Sequence, residues 1–148
     1  MNRLPSLAVV LLTAFAGACG GGRSPSEPVG PDRVSVVSLE PANGSPLAPG
    51  SIVTFSARLD YELQSENSGA ILLVIQDQNS ALLTVGPQAR AAITRGRGSA
   101  TLADQVEVPA TGVSQVRVFF AMVPPDVSAT QFLSASPVQP DAIYPVRP

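Results

Sequence analysis

Apolar and polar side chains alternate most regularly between residues 53 and 63. Five polar side chains separate the apolar ones along this stretch. A period of two is that of a β-strand with one face on the core and the other in water, whereas a helix would scatter these residues around its circumference. We therefore predict a half-buried strand. Its apolar positions are Val53, Phe55, Ala57, Leu59, Tyr61 and Leu63.

Further strands are predicted on both sides of this one. Residues 70–75, A-I-L-L-V-I, are apolar at every position, which predicts a central strand covered on both faces. Residues 113–123 alternate again, and a short last strand over 142–146 is restricted to a sheet edge by Pro145. The other predicted strands cover residues 34–40, 81–85, 89–94 and 99–108, the last with a bulge at Asp104.

Turn residues separate these strands. Residues 41–50, P-A-N-G-S-P-L-A-P-G, are saturated with Pro, Gly and Asn. Residues 64–69 are polar and predict a second turn, and residues 77–80 predict a third. A fourth break is expected at Gly96-Arg97-Gly98, before the strand at 99–108.

Seven or eight short strands without a convincing helix predict an antiparallel β-sandwich over residues 33–148. The pattern resembles the immunoglobulin-like or fibronectin-type modules that bacteria place on exported and surface proteins. The resemblance implies an immunoglobulin-like sandwich, although the chain lacks the cysteine pair and the core Trp of antibody-type domains. A small up-and-down barrel is the alternative fold.

One predicted strand is apolar on both faces near its end. Phe119, Ala121 and Val123 alternate with Val118, Phe120 and Met122. A crossing loop that carries Phe132 and Leu133 would cover the second face, and a contact patch for a partner is the other interpretation.

The first residues have the three parts of an export signal. Arg3 makes the start positive, residues 7–18 are apolar, and small side chains follow. A membrane-spanning helix needs about 20 apolar residues, and the run ends well short of that at G-G-G-R, residues 20–23. We predict a signal peptide over residues 1–18.

The end of this signal, Ala16-Gly17-Ala18-Cys19, resembles the lipobox of bacterial lipoproteins. The resemblance implies cleavage between Ala18 and Cys19 and acylation of Cys19, which is the single cysteine of the chain and has no disulfide partner. Ala16 departs from the Leu that the family usually carries at that position. Residues 19–32 then form a flexible, Gly-, Pro- and Ser-rich tether. Cleavage without acylation, which gives a secreted protein, is the alternative.

Composition restricts the function. The chain has no His, Lys or Trp, so most general bases, Schiff-base amines and activated nucleophiles are missing, and we predict a protein that is not an enzyme and needs no cofactor. Without Arg3, eight arginines face 11 acids, a net charge of −3, which argues against a nucleic-acid partner.

Two groups of charged residues are candidates for binding chemistry. Asp60 and Glu62 share the wet face of one strand with Arg58, and Glu66 follows in the predicted turn. Paired carboxylates can bind calcium or act as acid and base, but the spacing of a calcium loop is missing. We interpret them as a solvated strand face with Arg58 as charge partner, and we predict no metal site.

Arg90, Arg95 and Arg97 form the second group and are compatible with an anion-binding patch. Solvated charges in a turn are the more ordinary interpretation.

Together these features predict a non-enzymatic, lipid-anchored envelope protein. Gly20 follows Cys19. In the Gram-negative lipoproteins that this segment resembles, a Gly rather than an Asp after the cysteine usually accompanies an outer-membrane location. The membrane and another envelope protein are the expected partners, the latter bound by a sheet edge or an apolar patch. A carbohydrate-binding or adhesion module is the alternative, weakened by the scarcity of aromatic residues.

Overall fold

The computed structural model describes residues 32–84, 86–126 and 142–148 of the 148-residue chain. The described residues form five strands and no helix, and every pairing between strands is antiparallel. The predicted all-β, antiparallel class is confirmed. The strands are β1 (Arg33–Glu40), β2 (Ile52–Asp77), β3 (Arg90–Glu107), β4 (Gln115–Val123) and β5 (Ala142–Pro145).

The 26-residue strand β2 is the axis of the sheet. β3 pairs with residues 52–63 and 68–72 of β2 along one side. On the other side β1 pairs with residues 56–62, and β4 pairs with residues 70–77. β5 extends the sheet beyond β4. Each half of β2 is therefore a central strand, with a different neighbour in each half.

The predicted turn at residues 64–69 is wrong, because β2 continues through it. Leu63 pairs with Gly96 and Ser68 pairs with Thr94, so residues 64–67 lie opposite Arg95 alone. We call residues 64–67 the β2 kink. Extra residues on one strand of an antiparallel pair bend that strand and increase its twist without ending the ladder. Gly96 has a φ of +105°, a backbone conformation that favours glycine, next to the kink.

β3 is also longer than predicted. The break expected at Gly96-Arg97-Gly98 does not occur, and the two strands predicted around it are one. The bulge at Asp104 is likewise wrong, because the β2–β3 register runs unbroken from Glu107 to Gly96. Asp104 keeps its place in the ladder, and its Oδ2 accepts a hydrogen bond from Ala89 N at 3.3 Å.

The described part of the chain thus has five strands where seven or eight were predicted. Two pairs of predicted strands are merged into β2 and β3. The strand predicted at 81–85 appears, in its described residues, only as isolated bridges at Leu82 and Thr84.

One hydrophobic core unites both halves of the sheet. Phe55 from the first half of β2 and Tyr144 from β5 are fully buried, and their rings meet edge to face at 5.1 Å. Phe120 of β4 belongs to the same cluster. The sheet therefore curls until its two ends face each other. Truncating one of these rings to alanine would cost about 3–5 kcal/mol.

A second, smaller apolar cluster lies on the opposite face of β2 and β4. It contains Ala70, Leu72 and Val74 of β2 with Ala121 and Val123 of β4, all buried. The prediction that these two strands are apolar on both faces is confirmed. Phe132 and Leu133, expected to cover this face, lie outside the described residues.

Candidate functional site

The predicted carboxylates Asp60 and Glu62 lie on the same outward face of β2. Glu62 is in register with Arg33 of β1 on one side and with Arg97 of β3 on the other. The Nε of Arg97 lies 3.4 Å from Oε2 of Glu62. The sheet therefore places one acid between two guanidinium groups from neighbouring strands.

The predicted charge partner, Arg58, is not the one that pairs with Glu62. Arg58 lies four residues away along the same strand, a distance of about 13 Å at 3.3 Å per residue. A cross-strand neighbour has its Cβ within about 5 Å. The ion pair therefore forms across the ladder with Arg97, whose position opposite Glu62 follows from the β2–β3 register.

Hydrogen bonding stabilises the charged form of Glu62. The Nε2 of Gln64 donates a bond of 2.5 Å to Oε1 of Glu62. This bond is the largest effect and lowers the pKa of the Glu62 carboxyl; desolvation opposes it, and the nearby Arg97 and Arg33 add to the lowering, so the net shift is downward. Glu62 is thus held as a carboxylate by its own strand and by β3.

An open cleft of about 240 Å³ lies over this part of the sheet, and its walls carry two cations and two anions. We call it the charged cleft. Opposite charges nearly cancel there, so it suits a small polar or zwitterionic group better than a simple ion. Its lining is Arg33, Ser35, Asp60, Tyr61, Glu62 and Arg97.

Glu66, the third predicted carboxylate, lies in the β2 kink and does not line the charged cleft. Within residues 32–84, 86–126 and 142–148, no three acidic, His or Cys side chains are grouped so that they could hold a metal ion.

The three clustered arginines of the sequence have separate partners. Arg90 Nη2 donates to Pro125 O at 2.6 Å, and Arg97 pairs with Glu62. Arg95 donates to Gln64 O from Nε and Nη2, at 3.2 and 2.6 Å. The suggested anion patch is therefore not assembled, since each guanidinium group already has a partner within the fold: Arg90 bonds to Pro125, and Arg95 and Arg97 bond to β2.

Asp32 is the residue whose role the sequence did not reveal. It is only 3% exposed, although it stands at the end of the predicted tether. Its Oδ1 accepts hydrogen bonds from the backbone N–H groups of Gln64 at 2.7 Å and Ser65 at 3.0 Å. Its Oδ2 accepts a bond of 2.5 Å from the Ser65 hydroxyl. Where β1 begins, the Asp32 carboxylate thus bonds the amide groups of the β2 kink.

The pKa of Asp32 reflects this arrangement. Burial acts to raise the pKa, but the bonds from the Ser65 hydroxyl and from the two backbone amides outweigh it, so the net shift is downward. Asp is a common loop residue before a strand, and nothing in the local sequence indicates a hydrogen-bond partner 32 positions away.

The two tyrosines are structural elements of the fold. Tyr144 is fully buried, its hydroxyl donates to Pro41 O at 2.7 Å, and burial raises its pKa to about 12. Tyr61 covers Gly98 so closely that a Cβ there would lie 2.5 Å from the tyrosine hydroxyl. Neither ring forms an exposed platform of the kind that sugar sites use.

Cys19 and the predicted cleavage site at Ala18–Cys19 lie outside the described residues. Within the described ranges, no helix is long and apolar enough to cross a membrane.

In comparisons with known proteins, neither a protein-family model nor a curated protein matches this chain.

Proposed function

We propose that this protein is a lipid-anchored module of the bacterial cell envelope that acts by binding or by structure, without catalysis. Cys19 would carry the acyl chains, residues 20–31 would hold the domain away from the bilayer, and the outer membrane of a Gram-negative cell is the proposed site. The observation that carries the proposal is the apolar run that ends in Ala16-Gly17-Ala18-Cys19.

The chemistry of the described domain is compatible with binding. The charged cleft is open, and its acids and arginines neutralise one another. Its side chains offer hydrogen bonds and charge, whereas nucleophilic catalysis would also need an activating base. Recognition of a polar surface fits these residues better than turnover.

We further propose that the curled sheet is the core of an immunoglobulin-like sandwich. The edge-to-face contact between Phe55 and Tyr144 supports this, because it brings the two ends of the sheet into one core. The bend at the β2 kink would let β2 serve two layers. Sandwich layers pack about 10 Å apart with interleaved side chains.

The test is the intact mass of the mature protein from bacterial cells, with Cys19→Ser as the control. A mass equal to residues 19–148 plus acyl chains, absent in the control, would support the anchor. Fractionation of the same cells would then assign the membrane. A chain that begins at Cys19 without acylation would contradict the proposal and leave a secreted β domain.

A further inference from the structure

The outer edge of β3 is less protected than the other sheet edges of the described structure. β1 has a register shift between Val36 and Ser38, and such a bulge discourages strand addition. β5 carries Pro145, whose carbonyl already accepts a bond from Leu47 N at 2.9 Å. β3 has no bulge or proline between Gly96 and Glu107.

The β2–β3 register shows which backbone groups of β3 point outward. Just beyond the end of β3, Val108 N donates to Ser51 O at 2.8 Å, so the N–H of this even-numbered residue points to the β2 side. Along an antiparallel ladder, residues whose N–H and C=O point to the partner strand alternate with residues whose groups point away. Thr101, opposite Arg58, falls on a non-hydrogen-bonded pair, and its N–H and C=O point away from β2.

The same alternation applies to every odd-numbered residue from 97 to 103. Beyond them, the bridge between Thr84 and Val106 occupies the edge. We call residues 97–103 the β3 edge; within the described ranges, no strand other than β2 pairs with it.

The side chains of the β3 edge allow another backbone to approach. Ser99, Thr101 and Ala103 are small and exposed on the outward face. Gly98 and Ala100 occupy the alternate positions, so the four consecutive residues 98–101 are all small. An unpaired strand of this kind is a template for strand addition.

We propose that the β3 edge pairs antiparallel with the β3 edge of a second copy of this chain. A twofold axis near Ala100 places odd-numbered residues opposite odd-numbered ones, so the exposed faces of both sheets become continuous. Arg95 and Glu107 lie on this exposed face at opposite ends of β3. Antiparallel pairing about this axis places Arg95 of one copy diagonally opposite Glu107 of the other, whereas parallel pairing would juxtapose like charges.

This inference rests on the proposed function, since it names the partner of the binding module. The pairing itself does not need the acyl chains. Confinement of both copies to one membrane would raise their effective concentration and favour the dimer.

The test is cross-linking of the full chain in bacterial cells with a short bismaleimide. Ser99→Cys places a thiol next to the proposed axis, and Ser38→Cys places a matched thiol on the exposed, bulged edge of β1. We expect a cross-linked dimer from Ser99→Cys, and a yield from Ser38→Cys that is about tenfold lower because a bulged edge resists pairing. Equal yields from the two variants would overturn the inference.

A charge swap tests whether the contact is between identical edges. Thr101→Lys in the Ser99→Cys chain places two like charges near the axis, and we expect the dimer yield to fall about tenfold. Co-expression with a Ser99→Cys chain that carries Thr101→Glu should restore the dimer yield. In the Ser99→Cys chain, Ser38→Lys places the same charge on the β1 edge and should leave the dimer yield unchanged. Unfolding midpoints confirm that each variant is folded, and an undiminished yield in Thr101→Lys would contradict the pairing.

The unmodified chain separates this inference from the proposed anchor. An acylated Cys19 has a thioether sulfur and cannot react, so the unmodified chain should give no dimer. Cross-linking through Cys19 would contradict the anchor alone. The same comparison of Ser99→Cys with Ser38→Cys in a Cys19→Ser background would then decide the pairing.

Discussion

The bonding of Asp32 to the β2 kink leads to the sharpest stability prediction. Asp32→Ala removes the acceptor for two backbone N–H groups and for the Ser65 hydroxyl. The amide of Gln64 is part-buried and loses its partner, whereas Ser65 is exposed and can bond to water. The kink would then be fixed mainly from the β3 side, by the bonds that Arg95 donates to Gln64 O.

The magnitude follows from these three bonds. A hydrogen bond to a charged group contributes about 1.5–3 kcal/mol. One such bond is lost without compensation and two are partly replaced by water, so we expect a loss of about 2–3 kcal/mol. For a domain of this size the melting temperature should fall by roughly 10 °C. Asp32→Asn keeps one acceptor oxygen and should cost about 1 kcal/mol.

The dependence on pH gives an independent check. The pKa of Asp32 is lowered in the folded protein, so its stabilisation is present above the pKa of the unfolded chain. It is lost as the pH falls through the lower, folded pKa. Asp32→Asn should therefore lose less stability than the unmodified chain between about pH 5 and about pH 2.

Urea unfolding followed by far-UV circular dichroism measures both effects. Asp60→Asn is the matched control, because Asp60 is exposed and faces Ser35 and Ser99 across the sheet. It should change the unfolding free energy by less than about 0.5 kcal/mol. Two results would contradict this role of Asp32: an Asp32→Ala effect as mild as that of the control at neutral pH, or an acid profile of Asp32→Asn equal to that of the unmodified chain.

Three further predictions concern the tyrosines and the ligand class. Gly98→Ala should destabilise the unmodified chain, because the new Cβ meets the Tyr61 ring. In a Tyr61→Ala chain the same change should stabilise by about 0.5 kcal/mol, because alanine restricts the unfolded state. Destabilisation in both backgrounds, measured by urea unfolding, would contradict the contact. Tyr144→Phe leaves the Pro41 carbonyl without its donor and should cost about 1 kcal/mol in the same assay. In an ultraviolet titration of the unmodified chain, Tyr144 should ionise near pH 12. The stability of that chain should fall above about pH 10, where the phenol of the unfolded state ionises. Peptidoglycan and common polysaccharides should not retain the purified protein; retention would favour the carbohydrate-binding alternative.

The polar segment at residues 64–69, predicted as a turn, shows why sequence reasoning misjudged the strand count. Residues 64–69 contain Ser, Glu, Asn and Gly, which ordinarily end a strand. Here the strand continues, because Asp32, just before β1, and Arg95 of β3 bond to the backbone of the kink from its two sides. Neither partner is close in sequence, and local composition therefore could not predict them.

The candidate site was predictable to the same limited degree. That Asp60 and Glu62 share a wet face follows from alternation alone. Which cation pairs with Glu62 depends on register, and the register brings Arg97 from 35 residues away. The grouping of Arg90, Arg95 and Arg97 in sequence did not predict an anion site, since Arg90 bonds to Pro125 while Arg95 and Arg97 bond to Gln64 and Glu62 of β2.

The sequence by itself determined the all-β class, the inward side of residues 53–63 and the burial of residues 70–75 on both faces, because each depends on periodicity. It also determined the edge position of the last strand, which depends on the backbone chemistry of one residue, Pro145. Only the tertiary structure decided that β2 and β3 run unbroken, that Asp32 bonds to the kink and that Arg97 pairs with Glu62. These features depend on hydrogen bonds and registers between distant segments, which form only when the sheet is assembled.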